Sequence, residues 1–151
     1  MTQDLPGFDL EHYVPYQFSV ISAQLSANLA ALYRDRFGIS VAEWRILVNL
    51  AYSDSRTVRD IQQRVRLDKA KVSRAVVQLE SRGLLTKEID GTDRRLLHLE
   101  LTDAGRQMVC ELVPLANKFQ DQVAQKLSLD IADLQSQLAH LMKELSDGET
   151  L

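Results

Sequence analysis

Cysteine is almost absent. Cys110 stands alone in 151 residues, which excludes an internal disulfide framework and suits a reducing compartment. Long apolar runs are missing as well: nothing approaches the roughly 20 consecutive apolar residues that cross a bilayer, so no membrane partner is expected. The opening MTQDLPGFDLEHY is acidic and lacks the basic-then-apolar order of a signal peptide, so the expected location is cytoplasmic. No H-x-x-x-H, C-x-x-C or clustered carboxylates occur, and neither a metal nor a cofactor is expected. The chain also lacks a Gly-rich phosphate loop, a G-x-S-x-G elbow and a plausible Ser/His/Asp set, which argues against an enzyme.

What is present reads as an ordinary soluble chain, with 45% hydrophobic and 26% charged residues. Its length suffices to bury a sizeable core. The net charge of −3 conceals a segregation. From Arg56 to Arg95 there are eleven Lys/Arg against six Asp/Glu, a net of +5; the remainder holds 7 basic and 15 acidic residues, a net of −8. Local field rather than net charge decides whether phosphate is attracted to a surface. The basic middle is therefore the candidate contact surface.

Hydrophobic spacing predicts a mainly helical chain. From about Leu10 to Arg36, Phe18, Ile21, Leu25, Leu29 and Leu32 recur at three and four, with Pro15 near the helix start or bending it and Gly38 as the stop. Ser40 with Glu43 forms a capping box for a helix over 41–52, whose stripe is Trp44, Leu47, Val48 and Ala51. Thr57 caps the short VRDIQQRV. The next helix, KAKVSRAVVQLESRGLL, turns Val72, Ala75, Val76 and Leu79 inward, leaving Lys69, Lys71, Ser73, Arg74 and Gln78 as its polar set. Further on, Ala104 to about Lys126 forms a helix in which Pro114 removes one backbone donor. A last helix is expected to start at a Ser128 cap, with Ile131, Leu134, Leu138, Leu141 and Leu145 as its stripe.

Between the helices, LLTKEI and LLHLEL read as paired strands joined by Asp90 to Arg95. Asp90-Gly91 is expected to supply the positive-φ residue of a tight hairpin. In the second strand Leu97, Leu99 and Leu101 should face a core, with His98 and Glu100 toward solvent. Thr102, followed by Asp103, should cap the next helix. Arg94 and Arg95 then sit at the exposed tip of a β-ribbon. Two short helices, a turn, an apolar-backed polar helix and a ribbon form a winged helix-turn-helix pattern. The long amphipathic helices at both ends must bury their stripes. The basic core offers them too little area, and a second copy related by two-fold symmetry is the expected cover.

The order of these helices resembles the MarR family of bacterial transcription regulators. So do KVSRAVVQLESRGLL, with its Ser-Arg pair ahead of Leu-Glu and Gly-Leu, and DRRLLHLELTDAG, which looks like the family's wing signature of D-x-R, alternating strand and L-T-x-x-G. The resemblance implies a single domain over 1–151, mainly α with a small β-hairpin wing. Residues 40–101 would form the winged helix-turn-helix core, and 8–37 and 102–147 the dimerisation helices. It implies a homodimer on double-stranded DNA, with recognition helices in successive major grooves and wings at flanking minor grooves. By similarity Arg95 would enter a minor groove with Asp93 holding its guanidinium, chemistry that suits a narrow, strongly negative groove and a bidentate carboxylate. Arg94 would meet phosphate. Ser73 and Arg74 match the family's Ser/Thr-Arg positions, where Arg can pair with guanine O6 and N7. Lys69 and Lys71 would serve phosphate or base.

Family members often bind small aromatic or phenolic acids, so a small-molecule effector is a further expected partner. His12, Tyr13, Tyr16, Phe18, Trp44 and Arg45 are the candidate ligand residues, although Phe18 and Trp44 also lie on stripes that must pack. Cys110, between Val109 and Glu111 on a helix, is expected to be a buried structural cysteine rather than a peroxide sensor. The expected function is a ligand-responsive regulator, a repressor on a pseudo-palindromic operator. The alternative is a winged helix that binds proteins and reads no DNA, which would have no need of Lys69, Lys71, Arg74 and Arg95 on one surface.

Overall fold

The computed structural model describes residues 5–54 and 56–146. Among these lie six helices and one antiparallel hairpin, in the order α1 (Val14–Phe37), α2 (Val41–Tyr52), α3 (Val58–Val65), α4 (Lys69–Ser81), β1 (Leu85–Ile89), β2 (Leu97–Leu101), α5 (Asp103–Leu127) and α6 (Ile131–Ser146). The chain divides into two compact units, Met1–Val109 and Cys110–Leu151, the boundary falling inside α5.

Local chemistry sets most helix ends in the first unit. Before α1, the Asp9 carboxylate accepts the Glu11 and His12 amides at 3.0 and 3.4 Å. This turn displaces the helix start from Leu10 to Val14, and Pro15, with φ already set, occupies the first turn. Gly38 ends α1 at φ 64°, the left-handed conformation that lets its amide reach back to the helix carbonyls. The Ser40–Glu43 capping box of α2 and the Thr57 cap of α3 form as expected. Asp68 caps α4, accepting the Lys71 amide at 2.8 Å. That bond, ahead of the Lys71 and Arg74 charges, holds the Asp68 carboxyl below its usual range.

α2 packs on α1, α3, α4 and β2. Its Ile46, Leu47 and Leu50 are buried, as are Ile61 of α3 and Val72, Val76 and Leu79 of α4. The hairpin closes the other side through buried Leu85, Leu99 and Leu101. Leu97, expected inward, is instead 39% exposed opposite Ile89 (65%), because the ribbon outruns the core at its tip. Ahead of α3, Arg56 and Thr57 add a short third rung: the Leu99 amide donates to the Arg56 carbonyl at 2.8 Å, and Thr57 bridges His98.

The turn of the first unit into α5 explains the spacing L-T-x-x-G. The Thr102 hydroxyl donates to the Gly83 carbonyl at 2.6 Å and accepts the Gly105 amide at 3.0 Å. The Thr102 amide meets the Leu84 carbonyl at 3.2 Å. A Cβ on Gly105 would fall onto that same carbonyl oxygen. Only glycine allows so close an approach of helix and chain.

In the second unit α5 continues through Pro114. Ser128, expected to cap α6, has φ 51° instead. Asp130 does the capping, accepting the Ala132 amide at 2.8 Å; its carboxylate serves the amides better than a hydroxyl three residues before the helix. Cys110 is exposed, against expectation. Val109 and Leu112 are the buried positions of that turn, and Cys110 falls between them on the helix's outer side. α6 has no buried residue, with Met142 and Leu145 exposed on it. No helix among the described residues is long and apolar enough to cross a membrane.

Candidate nucleic-acid interface

α4 owes its orientation to its buried side. With Val72, Ala75, Val76 and Leu79 packed, the expected polar set Lys69, Lys71, Ser73, Arg74 and Gln78 is exposed. These residues divide between two concavities. Lys69 and Ser73 line a cleft of about 410 Å³ shared with Thr57, Arg59 and Gln62 of the α3 region and with Arg95 and Leu97 of the wing. Lys71, Arg74 and Gln78 line another of about 280 Å³, together with Ser40 and Glu43 at the start of α2. Lys69 and Ser73 of α4 and the wing Arg95 thus converge across one groove, although Arg95 is more than twenty positions away from Ser73 in the chain.

The cations on this surface are largely uncompensated. Among the described residues Lys69, Arg74, Arg94 and Arg95 make no ion pair, whereas Lys71 meets Asp68 at 3.4 Å. Arg59 also lines the groove, a residue that hydrophobic spacing alone does not single out. Its signal was present in VRDIQQRV, whose exposed positions are Arg59, Asp60, Gln63 and Arg64 around the buried Ile61.

The wing tip is built differently from expectation. Gly91 does not have positive φ; among the described glycines only Gly38 and Gly83 do. The connection is too long for a two-residue turn, and Asp90 organises it. Its Oδ1 accepts the Thr92 amide at 2.7 Å, the Thr92 hydroxyl at 2.5 Å and the Asp93 amide at 2.8 Å. Its Oδ2 lies 2.6 Å from His98 Nε2. The Thr92 hydroxyl first, then the Asp93 and Thr92 amides and His98, hold the Asp90 carboxyl far below the usual carboxylate range. His98 is accordingly half-buried against Asp90 rather than free in solvent. Asp93 Oδ1 accepts the backbone amide of Arg95 at 2.9 Å and forms no ion pair with its guanidinium. The two-residue spacing favours this local Asx turn over a side-chain grip. Asp93 therefore supports the wing through the backbone.

The ligand candidates do not gather. Trp44 and Arg45 line a cleft of about 310 Å³ with Val48, Asn49, Tyr52 and Arg64. His12, Tyr13, Tyr16 and Phe18 are exposed elsewhere, on the arm and early α1; His12 pairs with Asp9 at 2.6 Å and Tyr13 packs on Phe8 at 5.3 Å. Tyr33, not foreseen, is fully buried and stacked on Trp44 at 5.3 Å. Burial pushes its hydroxyl pKa upward. Its OH and the Trp44 indole nitrogen are both enclosed with no hydrogen-bond partner among the described residues. No group of three or more potential metal ligands gathers among the described residues.

Comparison with known proteins bears on this surface. The model of the MarR family matches residues 37–96, which hold α2 to α4, β1 and the wing loop. The chain is 35% identical over 72 residues, 48% of its length, to the HTH-type transcriptional regulator YdgJ of Bacillus subtilis, and 27% identical over 112 residues, 74% of its length, to YwaE of the same organism. It spans 44% and 64% of those two relatives' own lengths. Over 93% of this chain and 96% of the other, its structure matches a MarR/EmrR family transcriptional regulator from Acinetobacter sp. ADP1 at 26% identity and a TM-score of 0.79. The matched core, the wing and the order of the six described helices are those of MarR family transcriptional regulators, to which this chain is similar in sequence over residues 37–96 and in structure over 93% of its length.

Proposed function

We propose that the chain is a cytoplasmic, homodimeric regulator that binds a pseudo-palindromic DNA operator, represses from it, and leaves it when a small organic acid binds. The observation that supports this reading is the groove shared by Lys69, Ser73 and Arg95, in which Lys69 and Arg95 make no ion pair among the described residues. α4 would enter the major groove, with Arg74 toward guanine and Ser73, Lys69, Lys71 and Gln78 toward bases or phosphates. Arg94 would take phosphate and Arg95 the minor groove beside it. A protein-binding wing would have no use for Lys69, Arg74, Arg94 and Arg95, which make no ion pair among the described residues.

Dimerisation is supported by apolar side chains that the single chain leaves in water. Phe18 and Ile21 of α1 are 45% and 50% exposed, and Leu145 of α6 is 55% exposed. A second copy is the proposed cover. For the effector, the cleft at Trp44 offers an aromatic face with Arg45 and Arg64 beside it, which suits an aromatic carboxylate. A ligand that favours a dimer geometry with misplaced α4 helices must weaken DNA binding by the same coupling factor.

The test is binding of the purified protein to its own upstream intergenic duplex across a salt series. One dimer per duplex, a steep salt slope and resistance to competitor DNA are expected. Binding no tighter than to random duplex would refute an upstream operator. Aromatic acids are then titrated into the complex, with Arg45→Ala and Arg64→Ala expected to raise the concentration needed for release.

A further inference from the structure

α4 carries one residue that neither packing nor charge explains. Val77 is 52% exposed. Between Val41 and Ser81, the stretch that forms the three helices of the DNA-facing core, the only other large apolar side chain so exposed among the described residues is Tyr52. Valine is also a poorer helix former than alanine or the straight-chain polar residues, so an exposed helical position gains nothing from it.

Its placement on the helix is specific. At about 100° per residue, the buried set Val72, Ala75, Val76 and Leu79 defines one side of α4, and the opposite side falls on Ala70, Arg74, Val77 and Ser81. Lys69 and Ser73 turn toward the wing cleft. Lys71 and Gln78 turn toward the start of α2. Val77 therefore lies on the outermost line of α4, one turn beyond Arg74, with cations and hydroxyls on either flank. A surface that meets DNA with its flanks presents this line to the base edges.

The major-groove edge of a base pair offers one apolar group, the 5-methyl of thymine. Arg74 and Val77 are about 4.5 Å apart along the helix axis, and base pairs are stacked about 3.4 Å apart. We propose that Val77 is a specificity-determining residue that packs on the methyl group of a thymine within one or two base pairs of the guanine read by Arg74. The inference rests on the reading that α4 enters the major groove, and it adds a base preference that no charged residue supplies.

The experiment selects preferred duplexes from a random library with the full-length protein, then replaces each thymine singly with deoxyuridine, which deletes only the methyl. Wild type should lose roughly threefold to tenfold in affinity at one thymine per half-site. Val77→Ala, at an exposed position and so expected to melt like wild type, should bind the thymine and deoxyuridine duplexes equally. Methyl-independent binding by wild type, or the same methyl dependence in Val77→Ala, would overturn the inference while leaving operator binding intact. A library that yields no preferred sequence would overturn the DNA reading and this inference together.

Discussion

Replacing Arg95 with Ala tests the wing directly. Arg95 is exposed and its guanidinium makes no ion pair among the described residues, so truncation breaks no salt bridge within the fold. Its backbone amide still donates to Asp93, and Asp90 still closes the loop, so the wing should keep its shape. The melting temperature should therefore stay within a degree or two of wild type. DNA binding should not. A guanidinium in a narrow groove contributes about 1–3 kcal/mol per contact, and the proposed dimer would place two. The summed loss of about 2–6 kcal/mol corresponds to roughly thirtyfold to 10⁴-fold in affinity. Fluorescence anisotropy on the selected duplex, repeated at four salt concentrations, separates charge from fit. Loss of charge alone lowers the salt slope by about 0.9 per phosphate contact removed. Arg95→Lys restores charge but not the planar fork, and should recover only part of the affinity. An Arg95→Ala protein that melts and binds like wild type would refute the wing contact.

Other substitutions probe the frame that holds this surface. Gly105→Ala puts a methyl group onto the Leu84 carbonyl and should destabilise by about 3 kcal/mol, outweighing the roughly 1 kcal/mol of helix propensity that alanine adds; urea unfolding reads the difference, and an unchanged midpoint would contradict the close approach. Arg82 donates from its two terminal nitrogens to the Phe37 and Gly38 carbonyls at 2.8 and 3.0 Å, tying the end of α4 to the end of α1. As an exposed tie it should contribute about 1 kcal/mol, so Arg82→Ala should lower the melting temperature by a few degrees, and no shift would show the tie to be idle. The folded state holds Asp90 below its unfolded value of about 3.9. Its contribution is therefore complete above that pH and is lost as pH falls toward the folded value. The gap in melting temperature between wild type and Asp90→Asn should be constant near neutrality and narrow below about pH 4; a gap independent of pH would refute the coupling.

Where local chemistry decides the structure, the sequence was legible. Ser40 with Glu43, Thr57 ahead of Asp60, and Thr102 ahead of Gly105 each satisfy helix amides within three residues, and each helix begins where such a cap predicts. The apolar stripe of α4 was equally readable, because four buried positions at helical spacing admit one orientation. Partners distant in the chain were not. The rung between Arg56 and Leu99 joins a polar loop to a strand, and nothing in the loop has a strand's alternation. The burial of Tyr33 depends on Trp44 arriving from another helix. Two errors came from applying local rules at the wrong length. The wing connection is too long for Asp-Gly to set its turn, and Asp130 stands closer to α6 than Ser128. The candidate site was half legible: the exposure of the polar set of α4 and of the tip arginines could be foreseen, whereas the place of Arg59 in the groove, the exposure of Val77 and the organising role of Asp90 needed the third dimension.

The rung at Arg56 and Thr57 has a consequence for how this protein behaves in a crowded solution. A two-stranded ribbon has two open edges, and an exposed edge with apolar side chains invites other chains to pair with it. Ile89 and Leu97 make the tip of this ribbon apolar. Yet the outer side of β2 is occupied near its middle by Arg56 and Thr57. The remaining edge belongs to β1, whose Lys87 and Glu88 are charged and whose Lys87 is anchored to Glu80 at 2.6 Å. Incoming strands thus find one edge blocked by the chain itself and the other guarded by charge. Both features disfavour edge-to-edge pairing of a wing that extends beyond its core.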